Sequence, residues 1–453
     1  MKIDFLGGAR TVTGSLFVVD DTIAVDCGLF QGHREEAERI NRNPPLEIDK
    51  LKAIFLTHAH LDHSGNIPNI VKKGYQHRIF ATPATIDIVE LLLLDAAHIF
   101  EQDIKYLNKR LKKKNLPLKE PLYSIDDAKA AIGKFSPLDY HKPIVKNGYD
   151  ITLFDAGHIL GSAQVRIRTD SGSILFTGDL GRVGMPFIRD PEFGLGADVL
   201  VMESTYGGRI HEPLEVVKRK LKVLIERVFR RRSRLLIPAF AVERTQDLIY
   251  LLHEMEDDLP PVPIYVDSPL ATNVTDVFRR HGRIFDKETR ELLERADDPL
   301  GFGRLHYTRS VEDSKALNDC DGPVVIISAS GMCEGGRVLH HLKRVVKSRE
   351  NIILFIGFQA RNTLGRRIVD GAKRIKVFGD EYDLKCHVEH IDGLSSHADS
   401  DDLCNYVRRM PNLKKLFLVH GEEDEMEKLR ARLIEQGFAG EIHIPEPQET
   451  YRF

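Results

Sequence analysis

A chain of 453 residues is longer than one compact core normally organises, so two domains are expected. Its 42% hydrophobic content suits a water-soluble globular protein, and no stretch approaches the ~20 apolar residues of a membrane span. A net charge of −3 excludes a chain that is basic throughout, while five cysteines without a CxxC pair argue for a reduced, cytoplasmic setting and against a cysteine-based metal site.

In chain order, residues 1–5 are already strand-like, with no signal-peptide core. An apolar run at 53–56 predicts a strand, and behind it His58-x-His60-x-Asp62-His63 places four metal-binding side chains in six positions. Imidazole nitrogen and carboxylate oxygen are ligands that zinc takes. On an extended stretch His58 and His60 point the same way, because side chains alternate. Asp62 and His63 are expected where the chain turns into a helix over 64–73. A charged, helical insertion is expected from 87 to about 131, and its segment 108–119 carries six Lys/Arg and no acid.

Three more polar residues follow apolar, β-rich runs and stand beside glycine: His158 after 151–154, Asp179 after 173–177 and His420 after 415–418. Loops at strand ends are where sites collect their ligands. From about 206 the pattern alternates: helix 217–230, strand 234–237, helix 245–256, strand 263–266, a helix from 271, and buried strands at 324–328 and 352–356. Such alternation predicts a mostly parallel sheet. Residues 218–234 hold nine Lys/Arg against Glu226 alone, with apolar residues at helical spacing. A solvated helix face is the plainer reading, though a local positive potential would also attract phosphate.

At the motif level the chain resembles the metallo-β-lactamase superfamily, through the His58–His63 motif together with Asp26, His158, Asp179 and His420. The resemblance implies an α/β protein with an αββα sandwich. It puts His58, His60 and His158 on one zinc and Asp62, His63 and His420 on a second, with Asp179 bridging and Asp26 supporting the ligands from behind. His60 stands where flavodiiron relatives carry glutamate, which favours zinc over iron. Glu203-Ser204-Thr205, Ser395-Ser396-His397-Ala398-Asp399 and Val419-His420-Gly421 resemble motifs A, B and C of the β-CASP branch, which processes nucleic acids. The histidine at motif C marks RNA-acting members. Because His420 belongs with the first site, the expected organisation is a metallo-β-lactamase domain in two segments, 1–205 and 381–453, with a β-CASP domain of parallel α/β type inserted at 206–380. Two departures stand out: Glu243 replaces a common glycine, and Arg361-Asn362 replaces Glu-Gly.

These readings imply a ribonuclease with two zinc ions per chain. A metal-activated hydroxide would cut RNA, preferably single-stranded, to leave 5′-phosphate and 3′-hydroxyl ends. Endonuclease and 5′→3′ exonuclease action both remain open, as does a homodimer; no membrane partner is expected. His397 is the expected proton donor to the leaving oxygen, oriented by Glu203. Arg244 and the segment of Ser330, Gly331, Gly335, Gly336 and Arg337 are candidates for holding backbone phosphate, the competing reading for the glycines being a turn before a helix. His340 and His341 are expected to be structural or cleft-lining. A small-molecule metallohydrolase of the same fold and a non-catalytic RNA-binding subunit are the alternative functions. The former has no use for so large an insertion, and the latter typically loses ligands.

Overall fold

The structure, a computed structural model, describes every residue except His33, Ala296, Asp321, Phe358 and Arg361, and all side chains of those except that of Arg34. The departure noted at Arg361 therefore lies outside the described residues. By packing the chain forms two compact units, one of Met1–Gly184, Arg189–Ile210 and His397–Phe453, the other of Met185–Ile188 and His211–Ser396.

The first unit is a sandwich of two seven-stranded sheets. In one, the order is Glu449–Arg452, Lys2–Gly7, Leu16–Val19, Ile23–Val25, Ala53–Phe55, Ile79–Ala81 and Phe135–Pro137. In the other it is Glu441–His443, Lys415–Val419, Val199–Glu203, Gly172–Phe176, Ala163–Thr169, Tyr149–Asp155 and Ile144–Lys146. Strand periodicity builds the layers. Ile174, Phe176, Val199, Val201, Phe417 and Val419 point inward, meeting Phe5, Phe17, Val25 and Phe55 of the facing sheet in one buried core. Their neighbours Leu175, Leu200, Met202, Leu416 and Leu418 point the other way, into a second core closed by helices Ser400–Arg408 and Glu423–Glu435. Helices Ile67–Lys72, Pro83–Lys113 and Ile125–Ile132 pack with one another beside strand Phe135–Pro137. The expected αββα arrangement is present.

The second unit holds an all-parallel six-stranded sheet, in the order Leu305–Tyr307, Ile264–Val266, Val324–Ser328, Arg234–Pro238, Ile352–Phe355 and His387–His390. Its central strand Val324–Ser328 is buried throughout, as a parallel strand covered on both faces must be. The sequence reading put the return to the first domain at 381. In the structure residues 381–396 pack with the second unit, because strand His387–His390 hydrogen-bonds to Ile352–Phe355 as an edge of that sheet. Among the described residues no helix is long and apolar enough to cross a membrane.

Candidate metal centre

After strand Ala53–Phe55 a loop that bends at Ala59 leads through His58 and His60 into the short helix Leu61–Ser64. Asp62 and His63 thus lie on a first helical turn rather than before a helix starting at 64. That helix breaks at Gly65 and Asn66, where the Asn66 N–H donates to the Cys27 carbonyl at 3.0 Å, and a second helix resumes at Ile67–Lys72. The motif loop is strapped from two sides. Ser15 N–H donates to the Asp62 carbonyl at 2.8 Å, and Cys27 N–H to the His63 carbonyl at 2.7 Å. Gly28 sits so close that a Cβ there would lie 1.6 Å from the Asp62 carbonyl oxygen, so only glycine fits.

Three donor groups converge in the first unit, the third being Asp179 with Glu203 and His397. His58 Nε2 is 3.1 Å from His60 Nδ1, which is 3.4 Å from His158 Nε2; Asp179 Oδ2 lies 3.5 Å and 3.6 Å from His58 Nε2 and His158 Nε2. A tetrahedral zinc with bonds near 2.05 Å has ligand atoms about 3.3 Å apart, so these four atoms fit one ion. Asp62, His63 and His420 form the second group. Asp179 faces both: its Oδ1 lies 3.3 Å from His63 Nε2 and 3.2 Å from His420 Nδ1. Asp179 Oδ1 and His420 Nε2 are buried without a hydrogen-bond partner, which a metal would supply. The donor set fits a pair of zinc ions, and no cysteine belongs to any such group among the described residues.

For His58 and His60 the electrostatics agree with ligand chemistry, whereas His63 would have to give up a proton to bind metal. Burial pushes the His58 imidazole well below its usual range and that of His60 down to about 4, so both are neutral, as metal binding requires. Burial also opposes a proton on His63, but the carboxylates of Asp179 and Asp26 outweigh it and favour positive charge there. Asp26, fully buried, accepts from the backbone and hydroxyl of Thr57 at 2.7 Å and 2.9 Å and takes His63 Nδ1 at 2.7 Å. His63 is thereby left to present Nε2, the tautomer control seen behind many metal-binding imidazoles. Thr205 Oγ1 contacts His420 Nδ1 at 3.2 Å, steering that ring in the same way. Sequence reasoning missed Thr57 and Thr205, whose only signal was a hydroxyl adjacent to a motif residue.

His397 enters beside these groups on an extended segment that pairs with Gly181, with Ala398 N–H donating to the Leu180 carbonyl at 2.7 Å. Its Nδ1 lies 3.0 Å from Glu203 Oε1 and 3.9 Å from Asp179 Oδ2. Burial disfavours the imidazolium, yet the Glu203 carboxylate prevails and raises the group above its ordinary value. Asp399, not His397, caps helix Ser400–Arg408, and Glu203 binds His397 and the N–H groups of Leu180 and Thr205 rather than an arginine.

The expected phosphate-holding residues lie in the second unit, and two need correction. Arg337 is a clasp: it donates to Asp267 Oδ1 at 2.7 Å and to the carbonyls of Thr308 and Arg309. Arg244 is buried and donates to the Ile356 carbonyl at 2.5 Å. Both guanidinium groups are thus engaged by partners within the second unit. Ser330 uses its hydroxyl to accept from Glu334 N–H and its own N–H to donate to Gly335. Gly336, at φ 81°, closes this turn, with Gly331 and Gly335 on the same loop. His341 is buried at 2.6 Å from Asp267 Oδ2, and the His340 ring lies 4.7 Å from that of Phe378 at a tilt of 42°. Glu243 adopts φ 65°, a conformation glycine takes easily.

Comparison with known proteins agrees with this geometry. Residues 12–79 match the metallo-beta-lactamase superfamily, 245–368 the Beta-Casp domain, and 381–445 the Zn-dependent metallo-hydrolase RNA specificity domain. Ribonuclease TTHA0252 of Thermus thermophilus is 34% identical over 96% of this chain and 97% of its own length. Transcription termination factor FttA of Methanocaldococcus jannaschii is 30% identical, covering 94% of this chain and 67% of that protein. Endoribonuclease YSH1 of Saccharomyces cerevisiae is 28% identical over 99% of this chain, which spans 58% of the yeast protein. A crystal structure of a protein of unknown function from Enterococcus faecalis shares the fold, with a TM-score of 0.55, 16% identity and 99% coverage of both chains. The chain belongs to the metallo-β-lactamase superfamily and, within it, to the β-CASP ribonucleases.

Proposed function

We propose that the protein is a metal-dependent ribonuclease that hydrolyses RNA at a two-zinc centre in its first unit. The observation that carries the reading is the position of Asp179. One of its oxygens faces His58 and His158, the other faces His63 and His420, and His397 with its Glu203 stands alongside. His58, His60 and His158 would hold one zinc, Asp62, His63 and His420 the other, and Asp179 would bridge them. When bound, such a pair lowers the pKa of a water and neutralises charge on the scissile phosphate.

The remaining steps belong to the chain. Glu203 holds His397 by Nδ1 and favours its protonated form, so Nε2 is the nitrogen that delivers a proton to the leaving 3′-oxygen. Expulsion of that oxygen leaves 5′-phosphate and 3′-hydroxyl ends and does not require the 2′-hydroxyl. Single-stranded RNA is the expected form, because His58, His63, His158, His420 and Asp179 lie buried and an unpaired backbone reaches them more easily. Five free cysteines suit a reducing, cytoplasmic setting.

The test compares two variants. His397→Ala should lose roughly 10²–10⁴ in rate while retaining two zinc ions by elemental analysis. Asp179→Ala should lose metal as well as activity. Products ending in 2′,3′-cyclic phosphate, or zinc loss in His397→Ala, would reject the assigned roles.

A further inference from the structure

Two cation-rich stretches in the chain are treated by the fold in opposite ways. On helix Leu214–Arg231, Lys218, Lys220, Lys222, Arg227, Arg230 and Arg231 each lie within 4.0 Å of a carboxylate, from Glu254, Glu212, Asp258, Glu389, Glu226 and Glu350 respectively. Apart from Arg219, the cations of that helix are neutralised from within. The long helix Pro83–Lys113 differs. Its fully buried residues end at Ala97, and beyond them Lys105, Lys109, Arg110, Lys112, Lys113 and Lys114 are all exposed. None of these six has a carboxylate within ion-pair distance among the described residues, and residues 105–119 contain no acid.

We propose that this distal end of the long helix, residues 105–119, is a docking surface for the phosphate backbone of RNA lying outside the catalytic centre. The proposal rests on the reading of the protein as a ribonuclease. Charge complementarity argues for the occupant, since an acid-free run of cations is what an RNA backbone requires. Tyr106, 68% exposed, stands three, four and seven residues before Lys109, Arg110 and Lys113, so at helical spacing the ring shares a face with the three cations. An exposed ring between cations is the combination that holds single strands, the bases stacking while the charges track phosphates. A helix C-terminus favours cations through its dipole, but that accounts for the last turn only and not for Lys105 or the ring.

The surface is also braced. Asn108 exchanges two hydrogen bonds with Lys119, at 2.8 Å and 2.9 Å, pinning the returning chain to the helix. Phe100 packs edge-on against Tyr123, and Glu101 accepts the N–H of Ile125. At its other end the helix is tied to the metal centre. Thr82 and Thr85 donate to the Gly161 carbonyl at 2.7 Å and 2.8 Å, at the end of the loop that carries His158. From Thr82 to Tyr106 the helix rises about 36 Å, so this surface meets only RNA that extends well beyond the scissile bond. Length of substrate is therefore the diagnostic variable.

The experiment uses the full chain with its metal, single-stranded RNAs of about 5 and about 30 nucleotides, and a series of salt concentrations, reading both equilibrium binding and kcat/KM. The combined variant Lys109→Gln, Arg110→Gln, Lys113→Gln should lose preference for the longer RNA. Its log–log salt slope for that RNA should shrink by about 2, at roughly 0.7 per phosphate contact removed. Lys109→Arg with Lys113→Arg should keep both properties, and Tyr106→Ala should weaken long-RNA binding roughly fivefold or more. Unchanged long-RNA affinity and salt slope in the Gln variant overturn the docking surface, whether or not cutting is observed. A change in self-association by sedimentation, with RNA binding unaltered, assigns the face to a second copy and overturns it too. An unaltered protein that binds both RNAs and cuts neither rejects the ribonuclease reading instead.

Discussion

Asp26 touches no reacting atom, yet it decides which nitrogen of His63 is available. Its Oδ2 takes Nδ1 at 2.7 Å, and its other oxygen is fixed by the Thr57 N–H, so the imidazole can neither flip nor change tautomer without breaking a buried hydrogen bond. Removing that partner with Asp26→Ala should lower metal affinity at the centre by about 10–100-fold. Competition against a graded series of chelators would measure the loss, and retention of the native melting profile would separate it from unfolding. Unchanged affinity would show that Thr57 alone suffices. The histidines and aspartates that the fold brings together here were legible in the sequence, because they crowd strand ends. The hydroxyl supports were not: threonine is common everywhere, and Thr205 meets His420 only across 215 residues of chain.

At the level of elements, the end of the parallel sheet in the second unit is locked around one carboxylate. Asp267 follows strand Ile264–Val266 and is fully buried, accepting from Thr308, Ser314, Arg337 and His341 at 2.5–2.7 Å. Burial alone would raise its pKa, but the hydrogen bonds from His341, Ser314, Thr308 and Arg337 prevail and hold it well below the usual carboxylate range. A folded-state pKa below the unfolded value contributes stability at neutral pH that is lost as the pH falls through about 4 and lower. Asp267→Asn should therefore destabilise the second unit at pH 7 by about 3 kcal/mol, because it takes the counter-charge of the half-buried Arg337 out of a fully buried hydrogen-bonded cluster. The variant should also lose less stability than the parent between pH 5 and pH 3, a window set by the carboxylate values above. Denaturant titrations at several pH values would reveal both effects; equal acid sensitivity in parent and variant would refute the clasp. The sequence pattern placed strand, turn and helix here correctly. It offered Arg337 to a phosphate because an arginine after glycines reads the same whether its partner is a ligand or an aspartate 70 residues earlier.

Across the whole chain, a net charge of −3 conceals a division that no local count reveals. Residues 218–234 are richer in Lys/Arg than the long helix, and sequence alone ranks them as the better nucleic-acid surface. The fold reverses the order, because acids from distant segments return to the first stretch. Glu350 lies 2.6 Å from Arg231 and Glu389 3.6 Å from Arg227, partners separated by more than a hundred residues. Periodicity can identify a basic helix face; it cannot foresee which strands and loops will bring carboxylates to it. A neutralised face attracts phosphate weakly, since each approaching phosphate competes with a carboxylate already in place. Lys220→Gln and Arg231→Gln should accordingly cost no more than about 1 kcal/mol of stability each, the usual range for exposed pairs. Together they should leave RNA affinity and its salt slope unchanged, in contrast to the Gln substitutions at the end of the long helix. Binding isotherms measured for both sets of variants on one RNA decide between the two surfaces. A steeper loss from the Lys220 and Arg231 pair would mean that RNA displaces their carboxylates, and that local cation density outweighs internal pairing.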